Sequence, residues 1–218
     1  MLSRSAKASF YKVVGPFMWL NGSIYRAMRA PRSGFHKVHL GPGQKNYLQG
    51  WINVDANMFT GKCDVWTDFT RRLPFRADSI DAIYSHHVIE HLPDLDRHFA
   101  EAYRCLKSGG IYRVGGPNGD GAIKKFNQGE FQWFSDWPEK RQSIGGRLNN
   151  FILCRNEHLA ILTESYLREL MEVAGFRRIV TCKPTLETSR PDIFAPCLGF
   201  EHENDFDTPH TLLLEGTK

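Results

Sequence analysis

Short apolar runs that alternate with helical segments predict an α/β fold with a mainly parallel sheet for this chain of 218 residues. The runs end in glycine, proline or an acidic residue, as strands of such sheets commonly do. Two segments with clear capping residues lie between them, and helical crossovers bring successive strands into parallel pairing. The hydrophobic fraction of 41% and the charged fraction of 24% are ordinary for a globular domain.

Seven strands and two helices are predicted from these patterns. The helix over 93–110 starts at Pro93 and ends at Gly109, and the helix over 163–176 has Thr163 as its N-cap and Gly175 after its end. The strands, in chain order, are predicted at 35–43 with its terminal turn, 50–55, 63–69, 79–87, 110–118, 177–182 and 210–217.

The first 34 residues form a separate N-terminal arm before a domain over 35–218. Residues 1–54 hold eight Lys/Arg and no Asp/Glu, and the apolar residues of the arm recur at helical spacing. We therefore expect an amphipathic helix that meets something anionic, such as a phosphate-bearing substrate, a membrane surface or nucleic acid. The apolar run over 13–20 is shorter than the about 20 residues of a spanning helix.

The five cysteines contain no C-x-x-C pair, and their number is odd. This usage argues against a disulfide framework and against a structural zinc knuckle. We expect reduced thiols and a cytoplasmic location, with peripheral membrane contact through the arm as a further expectation.

Residues 117–160 differ in composition from the rest and are predicted to form a lid over the substrate. The segment follows the end of a strand, where α/β sheets place ligand-binding insertions. Its aromatic and basic residues include Phe126, Phe131, Trp133, Phe134, Trp137, Lys124, Lys125, Arg141 and Arg147.

Three features that suit a nucleoside follow the first three strands. Gly41 and Gly43 allow a sharp turn and close approach to a ligand. Asp55 ends the second strand, where a carboxylate can accept both ribose hydroxyls. Asp68 and Phe69 follow the third strand, where an acid and a ring can flank a base. The spacing does not fit the dinucleotide fingerprint, which needs G-x-G-x-x-G at the start of a helix.

With these features the sequence resembles class I S-adenosylmethionine-dependent methyltransferases, and within them a bacterial branch found among surface-polysaccharide and other biosynthetic genes. The resemblance covers roughly 37–118 and weakens toward the end. The matching stretches are KVHLGPG, GWINVD, LPFRADSIDAIYSHHVIEHL, CLKSGGIYRVGGPN, TESYLRELMEVAGFRRI and HTLLLEGTK.

The resemblance implies a Rossmann-like sheet of order 3-2-1-4-5-7-6, helices on both faces, an antiparallel seventh strand and S-adenosylmethionine as cofactor. The first helix is expected to be truncated, because too few residues separate Gly43 from the second strand. By resemblance, the cofactor-binding residues are His39 in place of the usual acid, Gly41 and Gly43 at the methionyl part, Asp55 at the ribose, Asp68 and Phe69 at the adenine, and Ser85 and His86 at the sulfonium.

The stretch DAIYSHHVIEHL over 81–92 could belong to a metal site, an acid–base site or a strand end. It lacks H-E-x-x-H, and no third ligand for His87 and His91 is evident, so no metal is expected. Glu90 and His91 are assigned to a structural turn. His87 is the first candidate for a base that takes a proton from a hydroxyl, and His158 is the second.

We expect O-methylation of a saccharide or related small metabolite, with substrate contacts from Asn118, Asp120, Trp133 and Arg147. The S-H-H-V after the fourth strand argues against amino-directed nucleic-acid methyltransferases, which resemble each other in N/D-P-P-Y/F there. An RNA or protein methyltransferase and a non-catalytic cofactor-binding partner subunit are the alternatives. Nucleic acid is not expected as a partner, and the aromatic arm is a candidate dimer contact.

Overall fold

The computed structural model describes residues 4–57 and 61–218, with side chains from residue 10 onward in the first helix. Its seven-stranded sheet has the predicted order β3-β2-β1-β4-β5-β7-β6. Strand β7 runs antiparallel to β5 and β6, and the other pairs are parallel. The strands are β1 Lys37–Leu40, β2 Ile52–Asp55, β3 Val65–Trp66, β4 Ile80–His86, β5 Leu106–Pro117, β6 Arg177–Cys182 and β7 Thr211–Thr217. The predicted fold class is confirmed.

Six α-helices are present in the described part of the chain, together with three short 3-10 turns. The helices are α1 Arg4–Met28, α2 Leu95–Cys105, α3 Gly119–Asn127, α4 Ile144–Leu153, α5 Glu164–Ala174 and α6 Pro191–Leu198. The 3-10 turns are Ile89–His91, Phe131–Trp133 and Cys154–Asn156.

Helix α5 has the predicted caps, whereas α2 is shorter than the predicted helix over 93–110. The Thr163 side chain accepts from the N–H of Tyr166, and Gly175 has a φ of 108°. In α2, Asp94 is the N-cap, and the helix ends at Cys105 because β5 begins at the next residue and pairs with β4. Gly109 has a φ of 77° inside β5, so it bends a strand and does not end a helix.

The truncated first helix is confirmed, because only turns connect β1 to β2. The N–H of Gly41 donates to the carbonyl of Val54 (2.8 Å), which ties the start of this connection directly to β2. The core lies on both faces of the sheet: alternate residues of β4 face opposite sides, with Ile83 packed among residues of α2 and α5 and Tyr84 packed with Trp51 and Phe194 of α6.

Helix α1, in the predicted arm, packs against the β3 edge of the sheet. Thr67 donates its hydroxyl to the carbonyl of Met18 (3.1 Å), and Asn21 donates to the carbonyl of Trp66 (2.6 Å). A Cβ on Gly22 would lie 2.3 Å from Oγ1 of Thr67, so this close packing needs glycine. Within 4–57 and 61–218, no helix is both long enough and apolar enough to cross a membrane.

Candidate active site

The carboxyl ends of the central strands meet at one edge of the sheet and carry most of the predicted site. Strand β4 lies between β1 and β5, with Leu40 opposite Ser85 and His86 opposite Gly115. Antiparallel β7 begins at this same edge, where Thr211 pairs with Pro117. Open α/β sheets bind ligands at such an edge, where the strand order reverses.

The glycine turn after β1 is joined to Asp55 at the end of β2. The N–H of Gly43 donates to Oδ2 of Asp55 (2.9 Å), and the N–H of Asn57 donates to Oδ1 (2.8 Å). Each carboxylate oxygen retains acceptor capacity, so Asp55 can accept two hydroxyls in addition. Gly43 has a φ of 56° with open space where a Cβ would stand, whereas a Cβ on Gly41 would lie 2.3 Å from Val88. This open turn, beside an acid with acceptor capacity for two hydroxyls, has the features predicted for binding the ribose and methionyl parts of S-adenosylmethionine.

Two neutral imidazoles lie beside this turn. Burial lowers the pKa of His39 to about 4, although Nδ1 contacts Oδ1 of Asn53 at 3.2 Å. Burial, together with the charges of His87 and Arg113, holds the pKa of His86 well below its usual range. Nε2 of His86 is buried with no hydrogen-bond partner in the described part of the chain. Neutral rings do not repel a sulfonium, so both residues suit the cofactor end predicted for them.

Asp68 and Phe69 have different environments after β3. Asp68 accepts from the N–H of Thr70 (2.9 Å) and, with residues of α1, lines a cavity of about 520 Å³. Phe69 is buried in the core, and Ser85 is buried within β4. Contacts of these three residues with the cofactor stay predictions. For Phe69, packing in the hydrophobic core is a second explanation for an aromatic residue at this position.

His87 and Glu90 form a hydrogen-bonded pair directly after β4. His87 adopts a φ of 54°, and its N–H donates to the carbonyl of Gly115 (3.0 Å). Its Nδ1 lies 3.1 Å from Oε1 of Glu90, and its Nε2 lies 3.3 Å from Oγ1 of Thr211. The His87 side chain is 45% exposed, whereas that of Glu90 is 1% exposed.

Glu90 is ionised despite its burial. Burial by itself favours the protonated acid, but the hydrogen bond from His87 and the nearby imidazoles of His87 and His91 outweigh it and lower the pKa of Glu90. The carboxylate therefore accepts from Nδ1–H of His87, which leaves the lone pair of Nε2 available as a base. Sequence reasoning assigned Glu90 only to a turn; its spacing of three residues from His87 was the signal for this pair.

His158, the second candidate base, lies against His91. The two rings are 4.9 Å apart in an edge-to-face arrangement. Nδ1 of His158 donates to the carbonyl of Ile152 (3.0 Å), and burial lowers the pKa of His158. The backbone next to it is fixed by a hydrogen bond from Leu159 N to the carbonyl of Glu90 (2.7 Å).

The four predicted substrate residues all make contacts that hold the lid together. Asn118 caps α3 by accepting from Gly121 N (2.9 Å) and donates to the carbonyl of Pro209 (2.8 Å). Asp120 accepts from the N–H of Glu164 at the start of α5 (2.7 Å).

Trp133 and Arg147 belong to the interior of the lid. Trp133 donates Nε1 to the carbonyl of Thr208 (2.9 Å) and stacks on His210 with ring centroids 4.2 Å apart. Arg147 donates Nη1 to the carbonyl of Phe134 (2.6 Å), and its guanidinium lies 3.8 Å from the ring centroid of Phe131. Direct contact of these residues with a substrate stays a prediction, and shaping the lid is the role that their present contacts support.

The comparisons agree with this fold. A family model described as a methyltransferase domain matches residues 53–114, from β2 through β5. No curated protein sequence matches the chain. Among solved structures, a SAM-dependent methyltransferase of Thermotoga maritima, named as a possible histamine N-methyltransferase, is 19% identical with a TM-score of 0.55, and the alignment covers 99% of this chain and 96% of that one.

Two further structures share the architecture at similarly low identity. A S-adenosylmethionine-dependent methyltransferase of Mesorhizobium loti is 16% identical with a TM-score of 0.51, over 88% of this chain and 94% of that chain. Phosphoethanolamine N-methyltransferase 2 of Haemonchus contortus, in complex with S-adenosyl-L-methionine, is 13% identical with a TM-score of 0.52, over 99% of this chain and 57% of that chain. The family match indicates a methyltransferase domain over residues 53–114, and the solved structures share the fold of the whole described chain.

Proposed function

We propose that this chain transfers a methyl group from S-adenosylmethionine to a hydroxyl of a saccharide or related small biosynthetic metabolite. The observation that carries the proposal is His87, held by the buried Glu90 at the same sheet edge as the Gly41–Gly43 turn and Asp55. A base at that position suits an acceptor whose proton must leave as the methyl group arrives.

The chain's own residues would bind and orient the two reactants. Asp55 would hold the ribose hydroxyls, the glycine turn would contact the methionyl part, and the neutral His39 and His86 would lie near the sulfonium. The cofactor supplies a methyl group on a sulfonium, which is an activated donor. The protein therefore contributes mainly by positioning and by excluding water.

Proton removal is the step that this chain's residues would assist directly. Nε2 of His87 would accept the hydroxyl proton, and the charge of Glu90 would stabilise the imidazolium that forms. Thr211, whose Oγ1 lies 3.3 Å from Nε2, helps to orient the ring before the acceptor binds.

The surface of the lid favours the proposal of a small polar acceptor with an apolar face. Trp137 is 67% exposed on the lid surface, and an exposed indole can pack against a sugar ring. The polar lid residues described above fix the backbone around this surface, so the lid's shape would select the acceptor. RNA or a protein side chain as acceptor, and a non-catalytic partner subunit, are the alternatives that an assay separates.

Replacing Asp55 by alanine is expected to weaken cofactor binding about a hundredfold or more, because two hydrogen bonds to a charged acceptor are lost, each worth about 1.5–3 kcal/mol. The same change frees the Gly43 amide, which Asp55 now holds. Calorimetric titration with S-adenosylmethionine measures the effect, with Asp96→Ala on the exposed side of α2 as the matched control.

Methyl transfer to a panel of glycans, RNA and peptides then tests the acceptor. Transfer to glycans supports the proposal, and transfer only to RNA or peptides replaces its substrate class. Cofactor binding without turnover on any acceptor favours the partner subunit. Absence of cofactor binding by the unaltered chain rejects the proposed function, whereas full affinity in Asp55→Ala rejects only the role of Asp55.

We also propose that α1 contacts an anionic membrane surface from a cytoplasmic location. Its outer face carries exposed apolar residues at helical spacing, and the first 54 residues contain basic but no acidic side chains. Such a face inserts at a lipid interface while the basic side chains meet anionic headgroups. The exposed stripe consists of Val13, Phe17, Leu20, Ile24 and Met28.

The chain is expected to co-sediment with vesicles of phosphatidylcholine and phosphatidylserine, and less with phosphatidylcholine alone. Phe17→Ser combined with Leu20→Ser should lower vesicle binding about tenfold or more, since much apolar surface is lost from the interface. Val173→Ser, on an equally exposed valine of α5, is the control. Unchanged binding of the double variant would contradict the proposal, and a dimer that dissociates in the double variant would assign the stripe to self-association.

A further inference from the structure

We propose that Glu90, His91 and His158 form a binding site for a divalent transition-metal ion such as Zn²⁺. One ligand atom from each residue lies within 4.8 Å of the other two. Two imidazole nitrogens and one carboxylate oxygen are a ligand set used by catalytic zinc and related ions, whereas Mg²⁺ and Ca²⁺ prefer oxygen ligands throughout.

Both histidines are held in the tautomer that a metal requires. Nδ1 of His91 lies 3.0 Å from the carbonyl of Glu157, and Nδ1 of His158 lies 3.0 Å from the carbonyl of Ile152. Because a carbonyl only accepts, each Nδ1 carries the proton, and in the neutral ring the lone pair is on Nε2. A backbone carbonyl bonded to the far ring nitrogen is a common support for metal-ligating histidines.

Glu90 supplies a negative charge and one carboxylate oxygen that receives no hydrogen bond in the described part of the chain. Oε1 receives the hydrogen bond from His87, but Oε2 is buried without a hydrogen-bond partner in the part of the chain that the structure describes. Burying a carboxylate with one oxygen unpaired is unfavourable, and a cation bound to the Glu90 carboxylate would offset that free-energy cost.

The three ligand atoms must move closer together to hold an ion. Nε2 of His91 lies 4.0 Å from Oε1 of Glu90, which is longer than a hydrogen bond. Ligands at 2.0–2.1 Å around a tetrahedral ion stand about 3.3 Å apart, so this pair must approach by less than about 1 Å and the other pairs, which lie within 4.8 Å, by up to about 1.5 Å. The His91 side chain is 41% exposed and can make that movement, and its exposure leaves a coordination position open to solvent.

The sequence pattern does not predict this site, because the third ligand comes from a distant segment. The hydrogen bond from Leu159 N to the carbonyl of Glu90 brings His158 to the turn that carries the other two ligands. Glu90 is shared between this site and His87. If the proposed function holds, an ion here would polarise the acceptor hydroxyl next to the base, but binding of the ion does not depend on that function.

Titration of the metal-free full-length chain with Co²⁺ and Zn²⁺ tests the site. We expect one Co²⁺ per chain, with visible d–d absorption, no thiolate-to-cobalt charge-transfer band, and displacement by Zn²⁺. His91→Asn and His158→Asn keep a donor for the two carbonyls but remove Nε2, and each should weaken binding about tenfold to hundredfold or more. His36→Asn, at the opposite end of the sheet, should bind like the unaltered chain.

Near-ultraviolet circular dichroism of each variant verifies that the fold is retained, and Glu90→Gln provides a further variant that removes only the charge. Absence of stoichiometric binding, full affinity in both histidine variants, or a thiolate charge-transfer band would overturn the site. If metal binding fails while S-adenosylmethionine still binds with normal affinity, the metal site is rejected and the proposed methyltransferase function is unaffected.

Discussion

Replacing His87 by alanine is expected to lower kcat for a hydroxyl acceptor about 10²- to 10⁴-fold, the usual contribution of a positioned general base. The cofactor affinity should change little, because Gly41, Gly43 and Asp55 do not depend on this side chain. The loss should therefore appear in kcat, with a smaller change in the KM for S-adenosylmethionine. Initial rates at saturating acceptor over a range of S-adenosylmethionine concentrations measure both effects.

A second variant distinguishes a base from a residue that only packs. Glu90→Gln should keep most of the packing but lower kcat for a hydroxyl acceptor, because a neutral amide no longer stabilises the imidazolium that forms as the proton leaves. His36→Ala is the matched control for loss of a histidine.

A different result would assign proton removal elsewhere. If His87→Ala loses less than about tenfold in kcat, the positioning of donor and acceptor alone accounts for the rate. If His158→Asn shows the larger loss, the second candidate is the base or carries the metal that replaces it. Metal titration of that variant separates these two cases.

The sheet, and the places of the glycine turn and Asp55 at its edge, could be predicted because their signals are local. The apolar runs, the glycines after β1 and the acid after β2 each report on a few neighbouring residues, and parallel pairing then brings the strand ends together. The Thr163 and Gly175 caps are local signals of the same kind. The predicted end of the second helix, at Gly109, is wrong because β5 pairs with β4 from Leu106 onward. The helical pattern of the sequence does not report such a tertiary contact.

The remaining site features depend on contacts between distant segments. Trp133 and Arg147 are residue types that are typical of a ligand-binding lid, but in the structure they pack inside the lid. His210, the residue before β7, stacks on the indole of Trp133. His158 could be placed near the active site from its position before α5, yet its contact with His91 follows from a backbone hydrogen bond that no spacing rule encodes. The ion pairs of Arg113 likewise depend on distant segments, because in the sequence Arg113 is only one polar residue in an apolar strand.

Replacing Arg113 by methionine is expected to reduce the free energy of unfolding by about 3–5 kcal/mol or more, because two buried carboxylates lose their cation. Arg113 is fully buried and donates Nε and Nη2 to the two oxygens of Glu201, each at 2.8 Å. It also donates Nη1 to Oε1 of Glu215 (2.6 Å), its neighbour on β7. Urea unfolding at pH 7 measures the change.

Two control variants test whether unpaired buried charge causes the loss of stability in Arg113→Met. Arg190→Met removes a surface arginine that pairs with Asp192, and exposed pairs contribute no more than about 1 kcal/mol. Adding Glu201→Gln to Arg113→Met should recover part of the stability, because one unpaired charge is removed while an acceptor remains for the N–H of Thr185. No recovery in the double variant would attribute the loss to packing of the arginine side chain.

The pH dependence of the unfolding free energy is an independent test of the interaction between Arg113 and the buried carboxylates. Burial favours the acid form of Glu215, but hydrogen bonds from Ser189 and Thr188 and the charge of Arg113 outweigh it, so the pKa of Glu215 is lowered. A lowered folded-state pKa adds stability above the unfolded-state value and loses it as the pH falls through the folded-state value. Without Arg113 the folded-state pKa of Glu215 should rise, so the variant should lose less stability on acidification than the unaltered chain does. The difference in unfolding free energy between the unaltered chain and Arg113→Met should therefore narrow as the pH falls below the ordinary glutamate pKa of about 4.5, whereas a pure packing defect would leave it constant.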